Sequence, residues 1–243
     1  MPVDEAEVAR ARLLPLAPAG FEELEGEGWI ELAAYVDERG EELLRAALGE
    51  VAVTPVADGW EDRWKSFHRP VVAGGLWVGP PWEVPSEGVP AVVVDPGRAF
   101  GTGAHPTTRL SIALLADVER GSCLDAGCGS GVVAVAAVRL GFAPVVALDL
   151  DPEAVVAAEA TARRNDVVVD VRRADVLRDE LPPTDVAVAN IELAVVESLL
   201  GRVPAKVAVT SGYLAHEAPT ASGWECSRRL ELEGWAADLL VRL

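Results

Sequence analysis

The sequence predicts an α/β protein in which an open, doubly wound sheet alternates strands with helices. A strand near 122–126 ends in a turn with glycines at 127, 129 and 131. The uncharged run at 132–138 that follows is typical of a helix packed against a sheet. A second strand ends at Asp149, about 20 residues further on, where such sheets often hold a ribose. These observations place a ligand site where the strands end.

The glycine turn has the spacing Gly-x-Gly-x-Gly. Glycine permits a sharp turn and lets a ligand approach backbone amides at a helix N-terminus. Dinucleotide-binding sheets use Gly-x-Gly-x-x-Gly, so the spacing disfavours a nicotinamide dehydrogenase. A tight strand-to-helix turn without any ligand is the plain alternative, and the carboxylate of Asp149 argues against it.

The composition predicts a well-filled core and an acidic surface. Half of the 243 residues are hydrophobic, and 21 Lys and Arg against 39 Asp and Glu give a net charge of −18. This charge disfavours direct binding to nucleic acid and suits a basic protein partner. We find neither a run of about 18 apolar residues nor a secretory N-terminus, which predicts a cytoplasmic protein with no membrane partner.

Residues 1–55 are predicted to form a small, acidic α+β domain. They hold 13 acidic and 4 basic side chains, so this segment carries a charge of −9. Apolar patterns predict strands near 8–16, at 29–36 and at 51–54, and a helix at 41–48. The acidic surface either captures a basic partner or only keeps the protein soluble.

Residues 56–90 are predicted to be a helical linker with connecting strands. A helix at 58–67 would carry Trp60, Trp64 and Phe67 on one side, and a strand is expected at 76–78. Another strand is expected at 91–94, at the start of a larger domain that spans 91–243.

Two stretches carry a resemblance to a known family. The sequences LDAGCGSG at 124–131 and LDLDP at 148–152 resemble the first two motifs of class I methyltransferases that use S-adenosylmethionine. The run PGRAFGTGAHPTTR at 96–109 resembles the signature loop of PrmA-type enzymes, which methylate the eleventh protein of the large ribosomal subunit. The likeness extends over roughly residues 60–243.

The resemblance implies a doubly wound, seven-stranded Rossmann-like methyltransferase sheet with one antiparallel strand and a small N-terminal α+β domain. Further strands are predicted at 167–171, 185–189 and 206–210, and a C-terminal hairpin at 224–230 and 235–241. Family enzymes have a helix between the first two strands of the front domain. Here only residues 17–28, rich in glycine, lie between the predicted strands, which leaves the protein substrate open.

The resemblance also assigns site residues. Gly127 and Gly129 would admit the cofactor, Asp149 would bind its ribose hydroxyls, and Thr108 would contact it from the 96–109 loop. Asn190, at the end of a central strand, would lie beside the cofactor and orient the incoming nitrogen. Asn190 could instead cap the helix predicted at 192–200.

Three other residues have roles that the sequence addresses. We expect His105 to cap the helix that starts at Pro106 rather than to transfer a proton. Asp175 could meet an adenine or be a solvated turn residue. Asp151 is expected to cap the helix after the second strand.

The resemblance implies a protein N-methyltransferase that modifies a lysine side chain or an N-terminal amine of a basic ribosomal protein. The alternatives are a methyltransferase for a small molecule or another protein, and a cofactor-binding module without catalysis. Asn190 is not followed by the Pro-Pro-Tyr or Phe of adenine and glutamine-amide methyltransferases, which disfavours those substrates. We expect a monomer that needs no metal, because the sequence shows no cluster of metal ligands.

Overall fold

The computed structural model divides the chain into two compact units, residues 1–60 and 61–243. It describes residues 9, 13, 22–26, 29–34, 36, 38–49, 51–54, 68–96 and 103–243. The linker helix predicted at 58–67 lies outside the described residues, as does the 97–102 part of the predicted loop. Among the residues described, no helix combines the length and apolar character needed to cross a bilayer.

The front unit contains a two-stranded sheet and a helix. Strands β1 (Glu22–Gly26) and β2 (Trp29–Ala33) pair antiparallel, and helix α1 spans Glu38–Leu48. Leu13 and Leu44 are buried together in its core. The helix predicted at 41–48 is confirmed, with one further turn at its start.

Two predicted strands of the front unit are wrong. In the stretch 8–16 the described residues are Ala9 and Leu13, and both are helical and buried. A spacing of four is typical of a helix face and, in a short segment, also fits the alternation of a strand. The other residues of the stretch lie outside the described residues. The stretch 51–54 is irregular, with Val53 48% exposed, and no strand among the described residues pairs with it. β-branched residues favour a strand where they pack against neighbouring strands.

A three-stranded sheet begins the larger unit. Its strands are β3 (Val71–Ala73), β4 (Leu76–Gly79) and β5 (Ala91–Val93). β3 pairs antiparallel with β4, and β4 pairs parallel with β5. Its apolar side chains join the main core of the larger unit. The sequence did not predict β3, which is only three residues long.

The larger unit is built on a seven-stranded sheet, as predicted. The strand order is β11-β12-β10-β9-β6-β7-β8, and β12 alone runs antiparallel to its neighbours. The strands are β6 (Cys123–Ala126), β7 (Val145–Asp149), β8 (Asp170–Arg173), β9 (Val186–Asn190), β10 (Val207–Leu214), β11 (Trp224–Leu232) and β12 (Trp235–Arg242).

The described residues of this unit form four helices, and residues of these helices occur in two core clusters built on the sheet. They are α2 (Pro106–Ala116), α3 (Val132–Leu140), α4 (Pro152–Arg164) and α5 (Leu193–Leu200). Residues of α2, α3 and α4 pack in one core cluster, and those of α5 pack in the other. The first six residues of α3 are all buried, as its uncharged sequence predicts.

The third strand differs from its prediction at 167–171. Pairing with β7 begins only at Asp170, and β8 is an edge strand whose residues are largely exposed. Val167 and Val169 precede β8 and still pack against the core. The alternating apolar residues at 167 and 169 therefore indicate packing against the core and not pairing with a neighbouring strand.

Candidate active site

The glycine turn joins β6 to α3 at the carboxyl edge of the sheet. Gly127, Gly129 and Gly131 have φ values of 75°, 52° and 75°, in the left-handed region that favours glycine. The N–H groups of Gly127 and Cys128 both donate to the Leu148 carbonyl, at 2.8 and 3.0 Å. The turn is therefore held against the end of the neighbouring strand β7.

Asp149, the last residue of β7, is bound to this turn. Its Oδ2 accepts from the Gly129 N–H at 2.9 Å, and its Oδ1 accepts from the Asp151 N–H at 3.0 Å. Asp151 in turn caps α4 through the Glu153 N–H at 2.8 Å, so that predicted cap is confirmed. The Asp149 carboxylate is thus fixed at the sheet edge and remains partly exposed.

Asn190 and Thr108 meet across 82 residues of sequence. The Asn190 Nδ2 lies 3.4 Å from the Thr108 Oγ1, a long hydrogen bond between the end of β9 and helix α2. Thr108 is fully buried. The Asn190 Oδ1 is also shielded from solvent and has no partner among the described residues. The N-cap of α5 is Glu192, so the capping alternative for Asn190 does not hold.

One cleft collects most of the predicted site residues. Thr108, Gly127, Gly129 and Asn190 all line it, and the remaining lining residues are Asp125, Cys128, Val132 and Val133. Asp149 is outside this lining and reaches it through its hydrogen bond to Gly129. Strands β9, β6 and β7 are neighbours and parallel, so their carboxyl ends bring these residues together.

Asp125 is a cleft residue for which the sequence predicts no role. It is 2% exposed, and its Oδ2 has no partner among the described residues. Burial raises the pKa of Asp125 to about 7; a hydrogen bond from the Ala134 backbone opposes this shift, and the nearby charge of Asp149 adds to it. The signal that could have found it is a carboxylate inside the otherwise uncharged motif at 124–131.

His105 and Asp175 both make local hydrogen bonds, one as a helix cap and the other in a turn. The His105 Nδ1 accepts from the Thr107 N–H at 3.3 Å and caps α2, which confirms the prediction. Burial lowers the pKa of His105, and Glu233 opposes the shift. The Asp175 carboxylate accepts from the Leu177 N–H at 2.9 Å and lies 3.4 Å from Arg178. This is the geometry of a turn residue.

The cleft offers hydrogen-bond acceptors and the N-terminal end of a helix. Asn190 and Asp125 present buried oxygen atoms without partners among the described residues, and the glycine turn presents backbone at the N-terminus of α3. Such a site fits a ligand that carries hydrogen-bond donors, a positive charge and a ribose. Among the described parts of the chain, no group of three or more His, Cys, Asp or Glu side chains is placed to hold a metal.

The sheet order and the turn define a Rossmann-like methyltransferase. The protein-family model described as "Ribosomal protein L11 methyltransferase (PrmA)" matches residues 28–237. The chain belongs to the family of ribosomal protein L11 methyltransferases, which confirms the resemblance seen in its motifs. It is a transferase whose methyl donor is S-adenosylmethionine.

Individual relatives agree with the family. The chain is 38% identical over 224 residues to a ribosomal protein L11 methyltransferase of Symbiobacterium thermophilum, covering 85% of this chain and 73% of that protein. It is 40% identical over 155 residues to the enzyme of Aliivibrio fischeri, covering 61% of this chain and 52% of that protein.

A solved structure is similar as well. The crystal structure of a ribosomal protein L11 methylase from Lactobacillus delbrueckii subsp. bulgaricus matches with a TM-score of 0.62 and 25% identity. The match covers 69% of this chain and 95% of that one.

Proposed function

We propose that this protein transfers methyl groups to amines of ribosomal protein L11, on lysine side chains, the N-terminal amine or both. The names of its relatives support the protein substrate. The observation that carries the amine assignment is the Asn190 Oδ1, a buried acceptor in the cleft with no partner among the described residues. An amide oxygen accepts from an amine N–H and so aligns the nitrogen lone pair.

When bound, S-adenosylmethionine would supply a methyl group on a sulfonium. The amine lone pair would attack the methyl carbon in line, and the carbon–sulfur bond would break to release a neutral thioether. In our proposal Gly127 and Gly129 allow the close approach of this cofactor, and Asp149 binds its ribose hydroxyls. Thr108 contacts the cofactor from α2. Its hydroxyl also accepts from the Asn190 Nδ2, which leaves the Asn190 Oδ1 available for the amine. Positioning and exclusion of water then supply much of the rate, since an amine needs alignment more than a strong base.

The proposed domain organisation gives the front unit the task of recognition. Residues 1–55 carry a charge of −9, and a basic ribosomal protein is the complementary partner. The proposal places the reaction in the cytoplasm, with the enzyme as a monomer that contacts neither membrane nor nucleic acid directly.

The test is methylation of purified L11 by the protein and by Asn190→Ala, followed by mass spectrometry of the product. We expect the variant to lose at least about tenfold in kcat with little change in cofactor affinity, since an interaction made mainly in the transition state is lost. Normal turnover at saturation with weakened cofactor binding would make Asn190 a cofactor ligand only.

Thr184→Val is the matched control. The Thr184 Oγ1 is another buried side-chain oxygen without a partner among the described residues, but Thr184 precedes the start of β9, and Asn190 is at its end. This variant should keep full activity. If the wild-type enzyme methylates a small molecule or another protein and leaves L11 unmodified, the L11 assignment is wrong and that alternative takes its place.

A further inference from the structure

A buried polar network lies beside the site on the last three strands of the chain. Tyr213 and Thr210 belong to β10, Asp238 to β12 and Arg229 to β11. The first three are 1% exposed. The Arg229 Nη1 lies 2.9 Å from the Asp238 Oδ2, so the buried carboxylate has a cationic partner.

The Tyr213 hydroxyl is the centre of this network. It lies 2.8 Å from the Asp238 Oδ2 and 2.8 Å from the Thr210 Oγ1. Burial raises the pKa of Tyr213 well above its ordinary value, so the hydroxyl keeps its proton. That single proton is directed at acceptors, the Asp238 carboxylate and, at 3.1 Å, the Thr210 backbone carbonyl. The Thr210 hydroxyl therefore donates to Tyr213. The buried hydroxyls and the carboxylate thus satisfy one another within the network.

The network surrounds a bulge in β10. The register of β10 against β12 shifts between Ser211 and Tyr213, which leaves Gly212 as the extra residue with a φ of 101°. The Arg229 Nη2 also donates to the carbonyls of Ala215 and Glu217, at 2.9 and 2.5 Å, just after the strand. Side chains of β10 and β12 thus hold the bulge, and the Arg229 side chain of β11 holds the segment that follows it. Bulges next to active sites commonly re-aim a neighbouring residue.

The bulge packs closely against the backbone of Ile191, the residue that follows Asn190. The Ile191 N–H donates to the Ser211 carbonyl at 3.1 Å, and Ser211 is the register partner of Asn190. An added Cβ on Gly212 would overlap the Ile191 carbonyl oxygen, so no side chain fits between the two backbones. The position of the Asn190 amide is therefore coupled to the conformation of the bulge.

We propose that Tyr213 is a positioning residue for methyl transfer, acting through the bulge on Asn190. The inference rests on the proposed role of Asn190. The hydroxyl of Tyr213 holds Asp238 and Thr210 in the arrangement that keeps Gly212 against Ile191. Without it, the strand end relaxes and the Asn190 oxygen no longer meets the incoming amine in one orientation.

Tyr213→Phe tests this directly, because it removes one oxygen and keeps the ring. We expect kcat with L11 to fall about tenfold, with the dissociation constant of S-adenosylmethionine within about twofold of wild type. Trp224→Phe is the matched control: it also loses one hydrogen bond of the C-terminal hairpin, from Nε1 to the Leu200 carbonyl at 2.9 Å. Trp224 pairs with Arg242, at the opposite end of the hairpin, so its kcat should not change.

The decisive measurement repeats Tyr213→Phe in the Asn190→Ala background. If Tyr213 acts through Asn190, the second substitution lowers kcat no further. An equal fold-change in both backgrounds, or an equal loss in Trp224→Phe, would overturn the inference. Unchanged kcat in Tyr213→Phe, with Asn190→Ala impaired, would overturn it and leave the proposed function intact. Unchanged kcat in Asn190→Ala alone would instead refute the role of Asn190.

Thr210→Val is a second variant, should Tyr213→Phe fold poorly. It removes the donor to Tyr213 and keeps the volume of the side chain, so kcat should fall in the same direction by a smaller factor. Wild-type kcat in a folded Thr210→Val protein would count against the inference as well.

Discussion

Ile191 lies over Gly127, so closely that a Cβ added to Gly127 would be 2.5 Å from the Ile191 Cγ2. The glycine turn after β6 and the strand end that carries Asn190 therefore touch directly. A side chain at position 127 would collide with Ile191, so this close approach depends on glycine.

Gly127→Ala is expected to lower both stability and cofactor affinity. The new methyl group collides with Ile191, and the φ of 75° strains any L side chain, which together should destabilise the fold by about 2 kcal/mol or more. Thermal unfolding and calorimetric titration with S-adenosylmethionine measure the two effects.

Gly223→Ala separates strain from collision. Gly223 has a φ of 81°, and an added Cβ would have no atom within 4 Å. We expect this variant to show only the conformational cost of about 1 kcal/mol and unchanged cofactor affinity. If the two alanine variants behave alike, the contact with Ile191 has no role in shaping the cleft.

Asp149→Ala should weaken S-adenosylmethionine binding by about 1.5 to 3 kcal/mol, the value of hydrogen bonds to a charged group. The carboxylate also accepts from the Gly129 N–H at 2.9 Å, so the glycine turn loses a support at the same time. Calorimetry gives the affinity directly. Asp95→Ala, which removes an exposed ion pair with Arg164, serves as the control and should bind normally.

Site residues can be predicted from the sequence where a short stretch of residues carries the signal. Glycines in a strand-to-helix turn and a carboxylate at a strand end are local signals, so the sequence alone indicates Gly129 and Asp149 as site residues. Asn190 is also indicated by its place at the end of a central strand, where ligands of such sheets bind. Thr108 needed the family resemblance, because it lies on α2, before the glycine turn, and meets Asn190 only in the folded chain.

Other features could not be predicted because they depend on tertiary contacts. The burial of Asp125 and the network at Tyr213 arise from packing between strands that are distant in sequence. In the front unit, the spacing of Ala9 and Leu13 fits a helix face as well as a strand pattern, and short apolar runs do not distinguish the two.

Asp125→Asn should stabilise the fold in a pH-dependent way. The folded-state pKa of Asp125 is about 7, above the ordinary 3.8, because of burial. Between about pH 4 and pH 7 the folded state therefore retains a proton that the unfolded state releases. As a result, the free energy of unfolding of the wild-type protein falls as pH rises through this range. The variant should gain on the order of 1 to 4 kcal/mol at pH 8 and little at pH 4.

Urea unfolding of wild type and variant at both pH values measures this difference. Asp185→Asn provides a control of opposite sign, because hydrogen bonds from Ser122 lower the pKa of Asp185. Its stabilising effect is present above the ordinary pKa and is lost as pH falls, so that variant should be less stable than wild type at pH 8. A gain for Asp125→Asn that is equal at pH 4 and pH 8 would contradict the buried charge.

Substrate capture by the front unit predicts a salt-sensitive reaction. A chain that begins at residue 61, the start of the second compact unit, should bind S-adenosylmethionine as well as the full protein does, because Thr108, the glycine turn and Asp149 all belong to that unit. It should methylate L11 more slowly, since the effective concentration supplied by tethering is lost. Raising the salt concentration should slow the full-length enzyme more than the truncated one.

Charge variants of the full-length protein test the same prediction without truncation. Glu31 and Glu42 are exposed in the front unit, whereas Glu180 and Glu225 are exposed in the larger one. Changing either pair to glutamine alters the net charge by the same amount. We expect kcat/KM for L11 at low salt to fall only for Glu31→Gln with Glu42→Gln, because attraction of the basic substrate is local to the front unit. Equal effects of the two pairs would mean that overall charge, rather than this unit, attracts the substrate.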